Sequence, residues 1–468
     1  MAGAASSQRG TRDGGQRGRL LIIAILASFI AFLDGSIVTV ALPAISAELG
    51  GGLPTQQWTV NAYLLTLGAL ILLAGSLSDS FGRLRILRIG LVGFGAASVA
   101  CALAWDPGVL ILARAVQGIA AALLVPSSLA LITTAYQDPE RARAIGQWTA
   151  WTGTAAIIGP LLGGVLVDLA SWRLIFAVNV LPVAVTLVLM AGLRDSGRRR
   201  GASLDVPGAL LAVAGLAGPV YALIEQERLG WSHPAVVVPL VAGTLALVLF
   251  VLREARTPAP MMPLTLFQAR NFRYGNLTTA GAYAAIALGS FALTVFVQEA
   301  GGFSATEAGL AVLPLPIAML LLSTVFGNLA GTYGPRLFMT LGPAICGAGF
   351  LLMLTVSPPL NFLTQLLPGL LLFSLGLAVM VAPLTSAVLG SLHEDDAGIG
   401  SAVNNAVARV AGLVAIALAG TISGGALDYP GFRNTAAATA ALFFAAALVS
   451  LLGIRNPGGL QQGPNEGR

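Results

Sequence analysis

The chain has 468 residues, of which 56% are hydrophobic and only 10% are charged, and its formal net charge is +5. Soluble domains carry about 25% charged residues, so this composition excludes an ordinary soluble protein. All 25 basic residues are arginine. This excludes a nucleotide-binding P-loop and a Schiff-base enzyme, because each of them requires a lysine.

Apolar runs follow one another along almost the whole chain, and each can cross a hydrocarbon core of about 30 Å as a helix. We therefore predict an all-α polytopic membrane protein. The predicted spans are residues 20–46, 58–77, 86–105, 108–133, 144–168, 174–193, 207–225, 235–252, 274–298, 306–330, 337–356, 362–388, 399–423 and 435–454. The seventh predicted span is interrupted by Gly215, Gly218 and Pro219.

The first residues of the chain differ from the rest. Residues 1–19 are polar and rich in Gly, Ser, Arg and Gln, so we expect a disordered cytoplasmic N-terminus. The apolar run from Leu20 is too long for the core of a signal peptide, and further spans follow it. We interpret this run as a retained first helix.

The distribution of arginine predicts the orientation, because cytoplasmic loops of membrane proteins carry an excess of basic residues. With the N-terminus in the cytoplasm, twenty arginines fall on the cytoplasmic side and three, Arg173, Arg228 and Arg433, fall outside. The other two, Arg114 and Arg409, lie within spans. This separation supports the helix count and predicts cytoplasmic N- and C-termini. Arginines scattered over many short loops do not form a nucleic-acid-binding surface, so we expect no nucleic-acid partner.

Two loops repeat a short pattern. The loop after span 2 has the sequence GSLSDSFGRLRIL from Gly75, and the loop after span 10 has GNLAGTYGPRLFM from Gly327. Each has G-x-L, then a glycine five residues after that leucine, then arginine. The loops face the same side, so the repeat predicts two parallel six-helix halves. The predicted domains are a six-helix bundle at 20–194, a linker with two inserted helices at 195–272, a second bundle at 273–454 and a cytoplasmic tail at 455–468.

Five motifs occur in order along the first half. Span 1 contains LDGSIVTVALPAI, which begins at Leu33. The loop after span 2 contains the motif residues Gly75, Asp79, Gly82 and Arg83. Span 4 contains Arg114, Gln117 and Gly118. Span 5 contains GTAAIIGPLLGG, with the motif residues Gly153, Gly159, Pro160, Gly163 and Gly164. The entry to span 6 contains WRLIFAVNVLP.

Together these motifs resemble the fourteen-helix drug:proton antiporter branch of the major facilitator superfamily, over nearly the whole chain. Ser36 and Thr39 replace the branch's usual Thr and Asn in span 1, and Ser80 replaces a usual arginine in the loop. The resemblance implies a fold of 6+2+6 helices and an exporter that works by alternating access; the direction follows mainly from the span 5 motif. It also implies proton-motive force as the energy source with no cofactor, and a monomer in the bacterial inner membrane.

Asp34 is the acidic residue placed deepest in the membrane. At about 1.5 Å per residue, it lies about 21 Å along span 1, and Arg114 lies about 9 Å along span 4 from the other side. In a core of about 30 Å both reach a similar depth, and the resemblance places their helices side by side on the central cavity. Our hypothesis is that Asp34 carries the coupling proton and Arg114 adjusts its proton affinity. The alternative is a static ion pair that orders helix packing.

The loop and the span 5 motif suggest conformational roles. Gly75 and Gly82 permit a tight turn, and the resemblance implies that Asp79 and Arg83 form a charged latch between conformations. The alternative is that these charges only set the topology. In span 5, Gly159 and Gly163 permit close helix packing, and Pro160 can bend the helix. Bending and simple packing both remain open for this motif.

Polar and aromatic residues in or near the spans are candidates for the substrate cavity, although aromatic residues near span ends often form the interfacial belt. The candidates are Asn61, Tyr63, Gln117, Trp148, Trp151, Asn276, Phe291, Asn404 and Arg409. Arg409 lies near mid-depth, where it has two interpretations. It binds an acidic group or substrate, or it bonds backbone carbonyl groups.

We therefore expect proton-coupled efflux of small hydrophobic or cationic compounds. One alternative is the export of a single metabolite or self-made antibiotic, and another is proton-coupled uptake, against which the span 5 motif argues. A membrane receptor or scaffold is disfavoured by the short loops. The sequence shows no nucleophile–base pair and no cluster of metal ligands, so we expect neither an enzyme nor a metal site.

Overall fold

The computed structural model describes residues 2–137, 140–193, 205–257, 260–393 and 396–456. The described part of the chain is helical and contains no strand. It has 13 helices that are long and apolar enough to span a membrane, and one shorter apolar helix. Every predicted span therefore has a counterpart. The linker residues 195–204 and most of the predicted C-terminal tail, 457–468, lie outside the described residues.

The first six spans form the N-terminal bundle. They are α1 Gln16–Leu49, α2 Gly52–Phe81, α3 Arg83–Ala102, α4 Pro107–Ala135, α5 Arg143–Leu169 and α6 Leu174–Leu189. The chain then forms a hairpin of two spans, α7 Val206–Leu229 and α8 Pro234–Glu254. The C-terminal bundle contains α9 Arg270–Glu299, α10 Ala305–Tyr333, α11 Pro335–Thr355, α12 Phe362–Leu389, α13 Gly398–Ala417 and α14 Tyr429–Gly453. We call the end of the protein at which α1 begins the basic end, and the other the opposite end.

Several spans are interrupted near mid-depth. The span α1 consists of two helices. The first begins before the span, at Ala2, and ends at Ile37; after a 3₁₀ turn, the second begins at Leu42 with a proline in its first turn. The expectation of a disordered N-terminus stays a prediction. In α5 the helix is interrupted at Thr154, and in α6 it is interrupted at Val178 and Asn179. These interruptions position side chains of the site described below.

The hairpin of α7 and α8 packs against both bundles. The glycines that interrupt the seventh predicted span do not break the helix, because they face α8. A Cβ on Gly218 would lie 2.8 Å from the Cα of Gly243 in α8. Side chains of α7 form one apolar cluster with α2 and α13, including Leu65, Leu216 and Leu413. The hairpin thus covers the junction of the bundles on one side.

An ion pair closes the basic end of the hairpin. Nη2 and Nε of Arg253 each lie 2.8 Å from Oδ1 of Asp205, which also accepts a hydrogen bond from the backbone N–H of Gly208. Burial alone would raise the pKa of Asp205, but these donors outweigh it and hold the pKa below its ordinary value.

The repeated loops adopt matching backbone conformations. Gly82 joins α2 to α3 with a φ of 99°, and Gly334 joins α10 to α11 with a φ of 84°. Only glycine adopts such angles without strain, which explains why both copies of the pattern have glycine at this point. The two loops lie at the same end of parallel bundles, as the repeat predicts.

Candidate functional site

The carboxylate of Asp34 lies at the centre of the N-terminal bundle and is completely buried. Its Oδ2 lies 2.5 Å from Nη1 of Arg114 in α4. Its Oδ1 accepts hydrogen bonds from the side-chain amides of Gln117, at 2.9 Å, and Asn179, at 2.8 Å. The structure thus brings together the two charges that the depth estimate places at a similar depth and the resemblance places on neighbouring helices.

The guanidinium of Arg114 is fixed from several directions. Nε donates to the backbone carbonyl of Thr59 at 3.0 Å, and Nη1 also donates to Oε1 of Gln117 at 2.6 Å. Its Cζ lies 4.4 Å from the centre of the Tyr63 ring, within the range of a cation–π contact. Arg114 is 1% exposed. A cation held in this way cannot move away from the carboxylate unless helices α2 and α4 shift.

Gln117 and Asn179 complete the network. Gln117 lies one turn beyond Arg114 on the same face of α4, and its amide also donates to Oγ of Ser98 at 2.9 Å. Asn179 is brought to the carboxylate by the interruption in α6. Sequence reasoning counted Gln117 as a cavity residue and missed Asn179 as a site residue. The only signal for Asn179 was its place in the motif WRLIFAVNVLP.

The chemistry of the network follows from its donors. Asp34 accepts three hydrogen bonds, all from groups that carry protons, and one of these groups is a guanidinium cation. Adding a proton to the carboxylate would remove its charge and with it the ionic attraction to Arg114. The protonated oxygen would also no longer accept the hydrogen bond of one of the three donors. The hypothesis that Asp34 carries the coupling proton stays a prediction, and this network is the arrangement on which it rests.

A cavity of about 180 Å³ lies directly beside Arg114, between the two bundles. Tyr63 and Phe291, two of the predicted cavity residues, line it together with apolar side chains of α1, α9 and α13 such as Ile286 and Ile416. The lining of this space is largely apolar, and Arg114 contributes its charged group.

Other predicted cavity residues lie elsewhere. Asn276 and Asn404 bond to each other at 3.1 Å between α9 and α13, so they join two helices of the C-terminal bundle and do not line the cavity. Trp148 packs in a cluster of α1, α4 and α5 residues, and Trp151 is 60% exposed. Their spacing in the sequence could not reveal which neighbour each would meet.

Asn61 and Arg409 have an unusual feature in common. Asn61 is fully buried, and neither atom of its amide has a hydrogen-bond partner among the described residues. Within the same part of the chain, the buried Nε of Arg409 also has no partner. Buried polar groups are normally paired, so both side chains remain candidates for contact with a ligand.

The loop after α2 contains the predicted charged pair. Nη2 of Arg83 lies 2.9 Å from Oδ1 of Asp79, and Nη1 donates to the carbonyl of Ala130 at 3.0 Å and to the hydroxyl of Thr134. These contacts join α2, α3 and α4 within the N-terminal bundle. A Cβ on Gly75 would meet nothing within 4 Å. The latch role of this loop stays a prediction.

The glycines of the span 5 motif take part in two helix–helix contacts. Gly159 and Gly163 pack α5 against α1 beside Ile37. Gly164 faces the C-terminal bundle, where a Cβ would lie 2.6 Å from the carbonyl of Ala305 in α10. Gly309 of α10 in turn faces the carbonyl of Pro160. By contrast, a Cβ on Gly153 would meet nothing within 4 Å.

Hydrogen bonds between the bundles reinforce this contact at the opposite end. The carboxylate of Asp168, at the end of α5, accepts from the backbone N–H groups of Ala305 at 3.0 Å and Thr306 at 2.8 Å. Gln56 donates to Glu299 at 2.6 Å. The two bundles therefore meet closely at the opposite end, through α5 and α10. We call the α5–α10 contact the glycine seam.

We expect Asn179→Leu to weaken proton coupling without removing the ion pair. Leucine has the same branched side chain of four heavy atoms but no donor, so Asp34 would lose one of its three hydrogen bonds and keep the contact with Arg114. The measurement is the pH dependence of transport in proteoliposomes, with Thr186→Val, a change on the same helix, as the control. A pH profile that matches the wild type would contradict this role.

No group of three or more His, Cys, Asp or Glu side chains in the described residues could hold a metal ion. Cys101 and Cys346 are buried and unpaired. The chemistry of the described site therefore rests on one carboxylate, one guanidinium and neutral amides.

Comparisons with known proteins agree with this arrangement. A family model described as Major Facilitator Superfamily matches residues 24–416. The chain is 38% identical to a puromycin resistance protein of Streptomyces alboniger, over 87% of this chain and 82% of that relative. It is 35% identical to a cephamycin export protein of Amycolatopsis lactamdurans, over 86% and 84%. It is 34% identical to a multidrug resistance protein of Mycobacterium tuberculosis, over 86% and 75%.

Solved structures share the architecture at low sequence identity. A peptide transporter POT in complex with sulfate has a TM-score of 0.67 and 17% identity, and the match covers 93% of this chain and 92% of that one. The xylose transporter XylE from E. coli, in a partially occluded inward open conformation, has a TM-score of 0.62 and 15% identity, over 92% and 98%. The likeness concerns the fold, and it confirms the predicted helical architecture.

Proposed function

Because this chain belongs to the major facilitator superfamily, we propose that it exports small, largely apolar compounds in exchange for protons by alternating access. The predicted family is confirmed, and the chain is a membrane transporter and not an enzyme. The observation that carries the proposal is the buried pair of Asp34 and Arg114 beside a central cavity. Its relatives named for antibiotic resistance and export support the outward direction.

In the proposed cycle the basic end faces the cytoplasm of a bacterial cell and the opposite end faces outside. The excess of arginine at the basic end supports this orientation. With the glycine seam closed and Asp34 ionised, the protein has released its proton inward and accepts substrate. After reorientation, substrate leaves and Asp34 takes up a proton from outside. One charge that crosses 100 mV supplies about 2.3 kcal/mol, before any contribution of a pH gradient.

We propose that one chain is the working unit of this cycle, and we expect a purified monomer in proteoliposomes to transport substrate.

Susceptibility profiling in an efflux-deficient bacterial host tests the proposal. We expect the wild-type chain to raise the minimal inhibitory concentration of several compounds by at least about tenfold. Puromycin, methylenomycin A and cephamycin are the first choices, because relatives are named for them. A protonophore should abolish efflux from the same cells. Resistance to a single compound would favour a dedicated exporter, and increased susceptibility would indicate uptake and contradict the proposal.

A further inference from the structure

Arg409 lies where the two bundles meet. In α13 it is 11 residues beyond Gly398, which places it about 17 Å from the basic end of the helix. A Cβ added to Gly68 of α2 would lie 3.5 Å from the Cβ of Arg409. Arg409 is close enough to Tyr63 and Tyr283 to interact with both electrostatically. Because Tyr63 also contacts Arg114, the two guanidinium groups flank the same central region.

Arg409 is also unpaired. Its Nε is buried without a partner, and no ion pair or hydrogen bond holds its guanidinium among the residues that the structure describes. Arg114, at similar depth, has a carboxylate and two carbonyl oxygens as partners. A cation inside the membrane region costs several kcal/mol unless it is paired, so such a group indicates a function.

The charges at mid-depth therefore do not cancel. The described spans have three charged side chains near mid-depth, those of Asp34, Arg114 and Arg409. Asp34 already neutralises Arg114. One positive charge is left over. A second cation placed beside Arg409 would be repelled by it, whereas an anion would be attracted.

The surroundings of Arg409 suit an apolar acid. Asn61 lies seven residues, or about two helical turns, before Gly68 on the same face of α2. Its buried amide has no partner among the residues that the structure describes. Asn405, one turn from Arg409 toward the basic end, is exposed, so this face of α13 is accessible from that end. The neighbouring cavity beside Arg114 is lined mainly by apolar side chains, including Phe291.

We propose that Arg409 binds the acidic group of the transported substrate, and that the substrate class is small apolar acids, such as aromatic carboxylates. This inference rests on the proposed function and narrows it. It replaces the expectation of cationic substrates, since Asp34 is engaged by three donors and offers no free carboxylate to a cation.

Binding of two xanthene dyes of similar size tests this inference. Fluorescein carries a carboxylate and is anionic, whereas rhodamine 123 is cationic. With the purified protein in phosphatidylcholine nanodiscs, fluorescence anisotropy should give a Kd for fluorescein at least about tenfold below that for rhodamine 123. Arg409→Gln should raise the fluorescein Kd by at least about tenfold, and Arg409→Lys should raise it less, because it keeps the charge.

Arg433→Gln is the matched control. Arg433 is exposed near the start of α14, which lies at the opposite end of the protein. The fluorescein Kd of this variant should equal that of the wild type. Tighter binding of rhodamine 123 by the wild type would overturn the inference, even if Arg409→Gln did not fold. Nanodiscs that contain phosphatidylglycerol provide a further arm. If this lipid weakens fluorescein binding as strongly as Arg409→Gln does, Arg409 holds a lipid headgroup and the inference is wrong.

The assay uses no gradient, so it is independent of the export test. Loss of the dye preference would remove the acidic substrate class and leave proton-driven export standing. If the dye preference were preserved and export were absent, the acidic substrate class would stand and proton-driven export would be removed.

Discussion

Asp34→Asn is expected to abolish proton-driven export while the protein still reaches the membrane. Asparagine has nearly the same shape as aspartate but cannot release a proton, so the group that we propose to carry the coupling ion is lost. Uphill transport in proteoliposomes with an imposed pH gradient should fall to the background of empty vesicles. Exchange of substrate for substrate, which needs no proton, should persist. Undiminished uphill transport by Asp34→Asn would remove Asp34 from the mechanism.

The control for Asp34→Asn is Asp106→Asn. Asp106 caps the first turn of α4, where it accepts from the backbone N–H of Gly108 at 2.7 Å. Asparagine is an equally good N-cap, so this change keeps the structure and removes one carboxylate elsewhere. Its transport should match that of the wild type.

A double variant separates proton coupling from a static ion pair. Removal of Asp34 alone leaves Arg114 buried without its counter-charge, which costs about 3–5 kcal/mol. If the pair served only to order helix packing, neutralising both residues in Asp34→Asn with Arg114→Gln would relieve that cost and restore uphill transport. We expect the double variant to remain uncoupled, since it still lacks a proton carrier.

The sequence predicts the helices because span positions follow from hydrophobic length. Counting residues places Asp34 and Arg114 at a common depth, and the family resemblance supplies the adjacency of their two helices. Gln117 is predicted as part of the span 4 motif and as a cavity residue, but not as a partner of Asp34.

The remaining features depend on tertiary contacts that no spacing reveals. Asn179 reaches Asp34 only because α6 is interrupted beside it. Asn276 and Asn404 satisfy each other between helices, whereas in the described part of the chain the Asn61 amide and Nε of Arg409 have no partner. From the sequence alone these polar residues within spans cannot be told apart. Their different surroundings, rather than their identities, decide which of them can meet a ligand.

Gly164→Ala is expected to disfavour closure of the glycine seam and to reduce transport strongly. The added Cβ would lie 2.6 Å from the carbonyl oxygen of Ala305 and equally close to the Cα of Thr306. Both are backbone atoms, so no side-chain rotation relieves the clash. Such overpacking costs about 1–3 kcal/mol, which shifts the equilibrium between the two states by about 5- to 150-fold.

Pulsed EPR at the opposite end measures this shift. Spin labels at Trp105→Cys and Ser357→Cys report on the two bundles, because Trp105 is 75% exposed and Ser357 is also exposed. The native cysteines, Cys101 and Cys346, are buried and are not expected to react. Gly164→Ala should lengthen the mean distance between the labels.

Gly153→Ala is the matched control, since Gly153 belongs to the same motif and span but a Cβ there would meet nothing within 4 Å. It should leave both the label distance and transport unchanged. If Gly164→Ala and Gly153→Ala behave alike, the glycines of α5 serve helix bending or general packing. If only Gly164→Ala lengthens the distance, the close approach of α5 to α10 is what keeps the opposite end shut. The motif would then act by excluding a side chain at one contact, and exchange would depend on how easily that contact opens.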